Sequence, residues 1–246
     1  MRYGLYLYGI FPAPGPKMLH LQGLDKQPVY SHEVDGFVFL YSEAKQERYL
    51  ASRRHLLGHE QVLEQAMERG YRTLLPLQFG LIIEHWEIVR QQLLIPQGDN
   101  LNALFAKLNG QREVGIKIFW EQSAELEALM AEHDDLRAER DRFEGKSLSM
   151  DQVVQIGQAI ERAMAARKQT IIDIFQDLLN PLAGEVVEND SLTDNMIYNA
   201  AYLIPWDDEP QFGEQVEQLD QKFDSRLKIR YNNLTAPYNF ARLGED

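Results

Sequence analysis

The chain has 246 residues, 44% of them hydrophobic and 10% aromatic, enough to build one sizeable domain or two small ones around apolar cores. There is no cysteine, which excludes disulfides and thiolate metal centres, and no apolar run reaches the roughly 18 residues that a membrane-spanning helix needs. The net charge of −13 lies entirely in the second part: residues 1–110 carry 11 acidic and 11 basic side chains, whereas residues 111–246 carry 27 and 14.

An acidic surface of that kind repels phosphate backbones, so no nucleic acid is expected as a partner. The asymmetry predicts two domains, 1–110 and 111–246. In the first, RYGLYLYGI (2–10) reads as a strand and the proline-rich FPAPGPK (11–17) as a loop. VYSHEV (29–34) and FVFLY (37–41) flank Asp35-Gly36, a strong hairpin signal. A helix is expected from about Ser42 to Arg69, stopped at Gly70. RTLLPLQFGLII (72–83) reads as a strand continuing past Pro76, and 85–94 and 100–110 as helices around a loop at Pro96.

The second domain opens with the alternating strand REVGIKIFW (112–120). Two long helical stretches follow, 121–144 and 149–180, hinged at Gly145 and ended by Asn180-Pro181. Ser149 with Gln152 reads as a capping box. Leu126, Leu129, Leu136 and Phe143 form one heptad-like stripe, interrupted by His133 and Arg140. Met150, Val153, Ile160, Met164, Ile171 and Leu178 form the other. Two such stripes predict an antiparallel helical hairpin over 121–180 with coiled-coil character. Strands follow at 185–189 and 195–205. Asp207 caps a helix carrying Phe212, Val216, Leu219 and Phe223, and 227–231 closes as a strand. The expected fold class is α+β in two domains. The C-terminal one is ferredoxin-like, β-α-β-β-α-β, with the long helical hairpin. The N-terminal one is a modified ferredoxin-like α/β sandwich with a proline loop in place of its first helix.

Few stretches invite a chemical reading. HLLGHE (55–60) places His55 and His59 one helical turn apart, as zinc hydrolases do, but the H-E-x-x-H pattern would need a histidine where Leu63 stands. At about 100° per residue His59 falls within the apolar face of Leu56, Val62, Leu63, Ala66 and Met67. The expectation is therefore a histidine buried against the sheet and bonded to a neighbour. EGKS (144–147) resembles the end of a phosphate-binding loop, yet Arg140 occupies the position of its first glycine. DDE (207–209) suits a helix start better than a cation site. There is no G-x-S-x-G and no Gly-rich dinucleotide loop. PLQFGLIIEHW (76–86) is apolar on both sides of Gly80. Its end, Ile82, Ile83 and Trp86, is the candidate contact for an apolar partner.

Taken in order, several segments resemble the GvpF/GvpL family of gas vesicle proteins. Tyr6-Leu7-Tyr8-Gly9-Ile10 matches its YxYGI-like opening strand. His59, Glu60, Val62 and Leu63 match its H-E-x-V-L helix, and Leu75, Pro76, Phe79 and Gly80 its LPxRFG strand, with Gln78 in place of the arginine. Gly110, Glu113, Lys117 and Ile118 match a G-x-x-E-x-x-[VI]-K-[VI] element. Ala236-Pro237-Tyr238-Asn239-Phe240 resembles its PPYSF-like tail, with Ala236 and Asn239 as departures. The resemblance spans nearly the whole chain. It implies an accessory or minor structural protein of the gas vesicle, cytoplasmic and vesicle-associated, that is no enzyme and uses no cofactor. The implied partners are the hydrophobic major shell protein GvpA and other accessory proteins, and the implied role is in nucleation or shell assembly. The residues alone leave two other readings open: a metal-dependent hydrolase built on His55 and His59, and a small-ligand regulatory module, the latter by fold analogy only.

Overall fold

The computed structural model describes residues 3–132, 150–224 and 226–242. They form two compact units: 3–114 with 203–208 and 232–242, and the described parts of 115–202 with 209–231.

The first unit is built on β1 (Gly4–Pro12). It pairs antiparallel with β3 (Phe37–Ala44), which pairs in turn with the edge strand β2 (Tyr30–Val34). On its other side β1 pairs with two short strands, β4 (Leu75–Pro76) and β5 (Ile82–Ile83). The β2–β3 hairpin turns at Asp35-Gly36, both with positive φ (49° and 84°), and closes Val34 on Phe37. That geometry matches the twist of the strands. In β1 the register slips by one residue at Tyr8. The bulge lets Tyr6, Tyr8 and Phe11 all join the same core cluster as Val38, Leu40 and Ala44 of β3. Helix α1 (Arg53–Glu68) covers this side with His59, Val62, Leu63, Ala66 and Met67. The other face of β3 meets the next helical run. Phe37 stacks on Phe105 at 5.9 Å, and Phe39 and Tyr41 approach Trp86 at 5.8 and 5.1 Å.

Three expectations in this unit are corrected. The helix expected from Ser42 begins at Arg53, because β3 continues to Ala44 and Ser52 supplies the cap, its Oγ accepting the His55 N–H at 3.3 Å. Between them, Tyr49 OH accepts the Lys45 N–H and donates to Asp25, each at 3.1 Å. The single strand expected over 72–83 is split into β4 and β5, with Gly80 at φ 91° between them. The split stretch still hydrogen-bonds β1, from Leu77 N–H to the Tyr8 carbonyl and from Leu7 N–H to the Leu81 carbonyl, both at 3.0 Å. Finally, Pro96 is not in a loop. A short α2 (Trp86–Val89), a π-helical turn (Arg90–Leu94) and α3 (Ile95–Leu108) are continuous, with Pro96 in the first turn of α3. Wider winding and an N-terminal position tolerate a residue without an N–H.

The second sheet contains β6 (Gln111–Trp120), β7 (Glu185–Glu188), β8 (Met196–Pro205) and β9 (Leu227–Thr235), in the order β7-β8-β6-β9. Counted within each sheet, both follow the order second, third, first, fourth. Helices α4 (Gln122–Glu132), α5 (Met150–Leu179) and α6 (Glu209–Phe223) belong to the second unit. Phe175 of α5 stacks on Phe223 of α6 at 5.7 Å, and Phe212 packs between Tyr202 and Tyr231 at 5.2 and 5.9 Å. On α5 Met164 and Ile171 are buried with Phe175 and Leu179, whereas Met150 and Val153 are exposed. Asp207 and Asp208 lie in a 3-10 turn that leads into α6. The expected hinge at Gly145, the EGKS stretch, Ser149 of the expected capping box and the stripe positions His133, Leu136, Arg140 and Phe143 lie outside the described residues.

Candidate functional site

His59 stands at the centre of the first unit, 2% exposed. Its Nε2 lies 3.1 Å from the carbonyl of Leu77, which only accepts, so Nε2 carries the proton. Its Nδ1 then accepts from Tyr6 OH at 2.9 Å, and Tyr6 OH in turn accepts the Gly80 N–H at 3.1 Å. Burial lowers the His59 pKa to about 4, so the ring is neutral and the tautomer fixed. Burial likewise pushes the Tyr6 hydroxyl well above its usual range and that of Tyr8 up to about 12. Tyr8 OH accepts the Leu24 N–H at 2.9 Å and meets Ser42 Oγ at 2.8 Å. Gly9 lets α1 lie close to β1, since a Cβ there would come within 2.8 Å of a Leu63 methyl.

This geometry answers the hydrolase reading. Both His59 nitrogens are committed inside the core, and His55 Nδ1 bonds the Leu50 carbonyl at 2.9 Å. Among the described residues no group of three or more His, Asp or Glu side chains is placed to hold a metal ion.

The candidate contact residues separate. Ile83 is buried, opposite Leu5 in the sheet. Ile82, opposite Tyr6, packs against the core cluster. Trp86 is half-buried, with its indole stacked on His32 at 4.2 Å and nearly perpendicular to Tyr41 at 5.1 Å. Tyr41 in turn lies 5.7 Å from Tyr30, which is 49% exposed. Trp86, His32, Tyr41 and Tyr30 thus make a row of rings along the β2 edge. The last three were not among the residues read as candidates. Strand alternation held the signal, because Tyr30 pairs with Tyr41 and His32 with Phe39.

Two other polar constellations are buried. Glu113 on β6 accepts the backbone N–H of Asn239 at 2.9 Å and its Nδ2–H at 2.7 Å. Burial pushes its carboxyl up to about 7, against those hydrogen bonds and the charge of Arg242. In the second unit Glu125, 1% exposed, is held by Arg226 at 2.8 and 3.0 Å and by Arg167 at 2.6 Å, and Arg167 also pairs with Glu132 at 2.7 Å. Burial pushes Glu125 up, but the two arginines outweigh it and its carboxyl lies below the usual range. The arginine pairs join α4 to α5 and to the approach of β9. The Trp206 ring carries two guanidinium groups, those of Arg72 and Arg112, at 4.4 and 4.5 Å from its centroid. Arg112 also donates to the Asn233 carbonyl.

A mixed fold of two sheets and helices, with a core sealed by internal hydrogen bonds and an aromatic edge, has the character of a binding or structural protein. The chain belongs to the family described as gas vesicle synthesis protein GvpL/GvpF, whose model matches residues 4–242. It is 60% identical over 243 residues to gas vesicle protein F of Nostoc sp. strain PCC 7120, covering 99% of this chain and 100% of that one. It is 23% identical to gas vesicle protein F of Haloferax mediterranei, over 74% of this chain and 67% of the relative. The crystal structure of GvpF from Anabaena sp. PCC7120 superposes with a TM-score of 0.86 at 57% identity, covering 98% of this chain and 97% of that one. That of GvpF from Microcystis aeruginosa gives 0.84 at 58%, covering 98% and 100%. The mixed architecture, with two antiparallel sheets and helices, matches those structures. Membership implies a role in gas vesicle formation, and the family is not a known enzyme family. No helix among the described residues is long and apolar enough to cross a membrane.

Proposed function

We propose that the chain is an accessory or minor structural protein that binds the hydrophobic major shell protein GvpA, alongside other gas vesicle accessory proteins, and assists vesicle nucleation or shell assembly. The observation that carries this reading is the family match across residues 4–242. Trp86 is its contact residue, extended by His32, Tyr41 and Tyr30, while Ile82 and Ile83 secure β5 beneath it. Three half-buried rings and the exposed Tyr30, on a stretch with no net charge, suit an apolar partner, and the acidic residues 111–246 keep the complex soluble. We read the two sheets as variants of one ferredoxin-like plan in domains 1–110 and 111–246, since they share a strand order. The long hairpin over 121–180 is read as coiled-coil in character, and the protein as cytoplasmic and vesicle-associated.

The test is co-purification with GvpA together with deletion of the gene in a vesicle-forming strain. Wild-type protein co-purifies with GvpA, and Trp86→Ala weakens retention about tenfold, the effect of losing an aromatic anchor. Absence of retention, with intact vesicles in the deletion strain, overturns the reading.

A further inference from the structure

From Tyr238 to Ala241 every backbone N–H has an acceptor. Tyr238 donates to the Ala236 carbonyl at 2.7 Å, Phe240 and Ala241 donate to the Pro237 carbonyl at 3.2 and 3.0 Å, and Asn239 donates to Glu113 at 2.9 Å. The segment therefore folds on itself as a single turn. Of these four backbone bonds, only the one to Glu113 leaves it. That carboxylate also takes the Asn239 side chain, so one residue of β6 fastens the turn through both of its oxygens. What the turn covers is apolar. Ala236 belongs to the cluster of Tyr6, Tyr8, Val62 and Leu63, and Tyr238 packs against that cluster. Phe240 is buried beneath Lys107.

We propose that residues 236–242 are a strap, that Glu113 is its latch, and that gain or loss of a proton on Glu113 tightens or loosens the strap over the Tyr6–His59 side of the core. Closing the strap takes the carboxyl out of water. Burial raises it from the ordinary 4.5 to about 7, whereas an open strap returns it to water and toward the ordinary value. The closed form thus holds the proton more tightly. Closure is favoured at acid pH and weakens as pH rises from about 4.5 through about 7. The neighbouring charges act in both directions. Arg242 on the strap favours the carboxylate. Glu60 and Glu64 of α1 and Glu113 itself all face Tyr238, concentrating negative charge under the strap. Arg112, beside Glu113 on β6, is engaged with Trp206 and Asn233 instead. Opening bares the apolar strip under Ala236 and Tyr238. That this strip adds to the surface for a shell subunit rests on the gas vesicle reading; the latch itself does not.

The experiment is amide hydrogen exchange over 236–242 in the full chain, corrected for intrinsic rates, from about pH 5.5 to about pH 8. Protection of the Asn239 amide in the wild type falls roughly tenfold or more across that range, and in Glu113→Gln it stays flat. Protection that is independent of pH in the wild type, or a variant that follows the wild-type curve, overturns the proposal. If Glu113→Gln does not fold, carbon NMR of the Glu113 carboxyl in the wild type decides. A midpoint above about 6 supports the latch and one near the ordinary carboxylate range overturns it. Neither measurement involves a vesicle component, so its failure is distinct from a failure to bind GvpA.

Discussion

His59 ties three stretches far apart in sequence onto one imidazole: Tyr6 of β1, its own helix, and the Leu77–Gly80 segment whose Gly80 N–H completes the chain. Three of the family-like segments, YLYGI, HE-x-VL and LP-x-x-FG, are therefore one hydrogen-bonded unit. Replacing His59 with Phe leaves the Tyr6 O–H without an acceptor and the Leu77 carbonyl without its donor in the core, and chemical denaturation should show a loss of about 2–4 kcal/mol. The ring also sets a pH dependence. Its folded pKa, about 4, lies below the ordinary 6.5, so the unfolded chain binds the extra proton. The stability it contributes is complete above 6.5 and lost as pH falls toward 4, at about 1.4 kcal/mol per pH unit. Glu113 acts with the opposite sign, its contribution complete below 4.5 and lost as pH rises through about 7. Urea melts between those limits should show His59→Gln with a shallower acid limb than the wild type. The burial of His59 was legible in its place on the apolar face of α1. Its partner was not, because nothing local connects His59 to a tyrosine 53 residues away.

At the scale of elements, close approach decides much of the packing. Gly9 sits where α1 crosses β1, and the new carbon of Gly9→Ala would come within 2.8 Å of a Leu63 methyl, which must move, and within 3.1 Å of the Leu75 carbonyl. Overpacking of this kind costs about 1–3 kcal/mol, visible as a lower denaturation midpoint with an unchanged slope. The alternating strands β6 and β9, and the β2–β3 hairpin with its Asp35-Gly36 turn, were readable because period and turn chemistry are local. The start of α1 was not. Ser42, Glu43 and Ala44 suit a helix start as well as a strand end, and pairing with β1 at Gly4, Leu5 and Tyr6 decides for the strand. The same holds for Pro96: a proline that would break a helix interior is tolerated once a π turn precedes it. The aromatic edge was half legible. Trp86 stood out in an apolar run, but its stacking on His32 depends on α2 folding back over β3, which no spacing reports.

At the scale of the molecule, charge and chain path tell different stories. The sums over 1–110 and 111–246 suggest a division near residue 110, whereas residues 203–208 and 232–242 belong to the same compact unit as the first strand. That return is sealed by Glu113 with Asn239 and by Trp206 with Arg72 and Arg112, contacts whose members are 94 to 134 residues apart by position in the chain. The family-like elements at Gly110–Ile118 and Ala236–Phe240 marked both ends of the first contact without showing that they touch. A protein that handles an aggregation-prone shell subunit needs an apolar contact surface on a well-charged body. The row of Trp86, His32, Tyr41 and Tyr30 is the surface we propose for that task. The most direct measurement is cross-linking of the full chain to GvpA during co-purification, followed by mapping of the joined peptides. Cross-links concentrated on residues 30–41 and 81–95, and reduced in Trp86→Ala, are the predicted result. Cross-links confined to residues 150–224, or no cross-links from a folded protein, would contradict it.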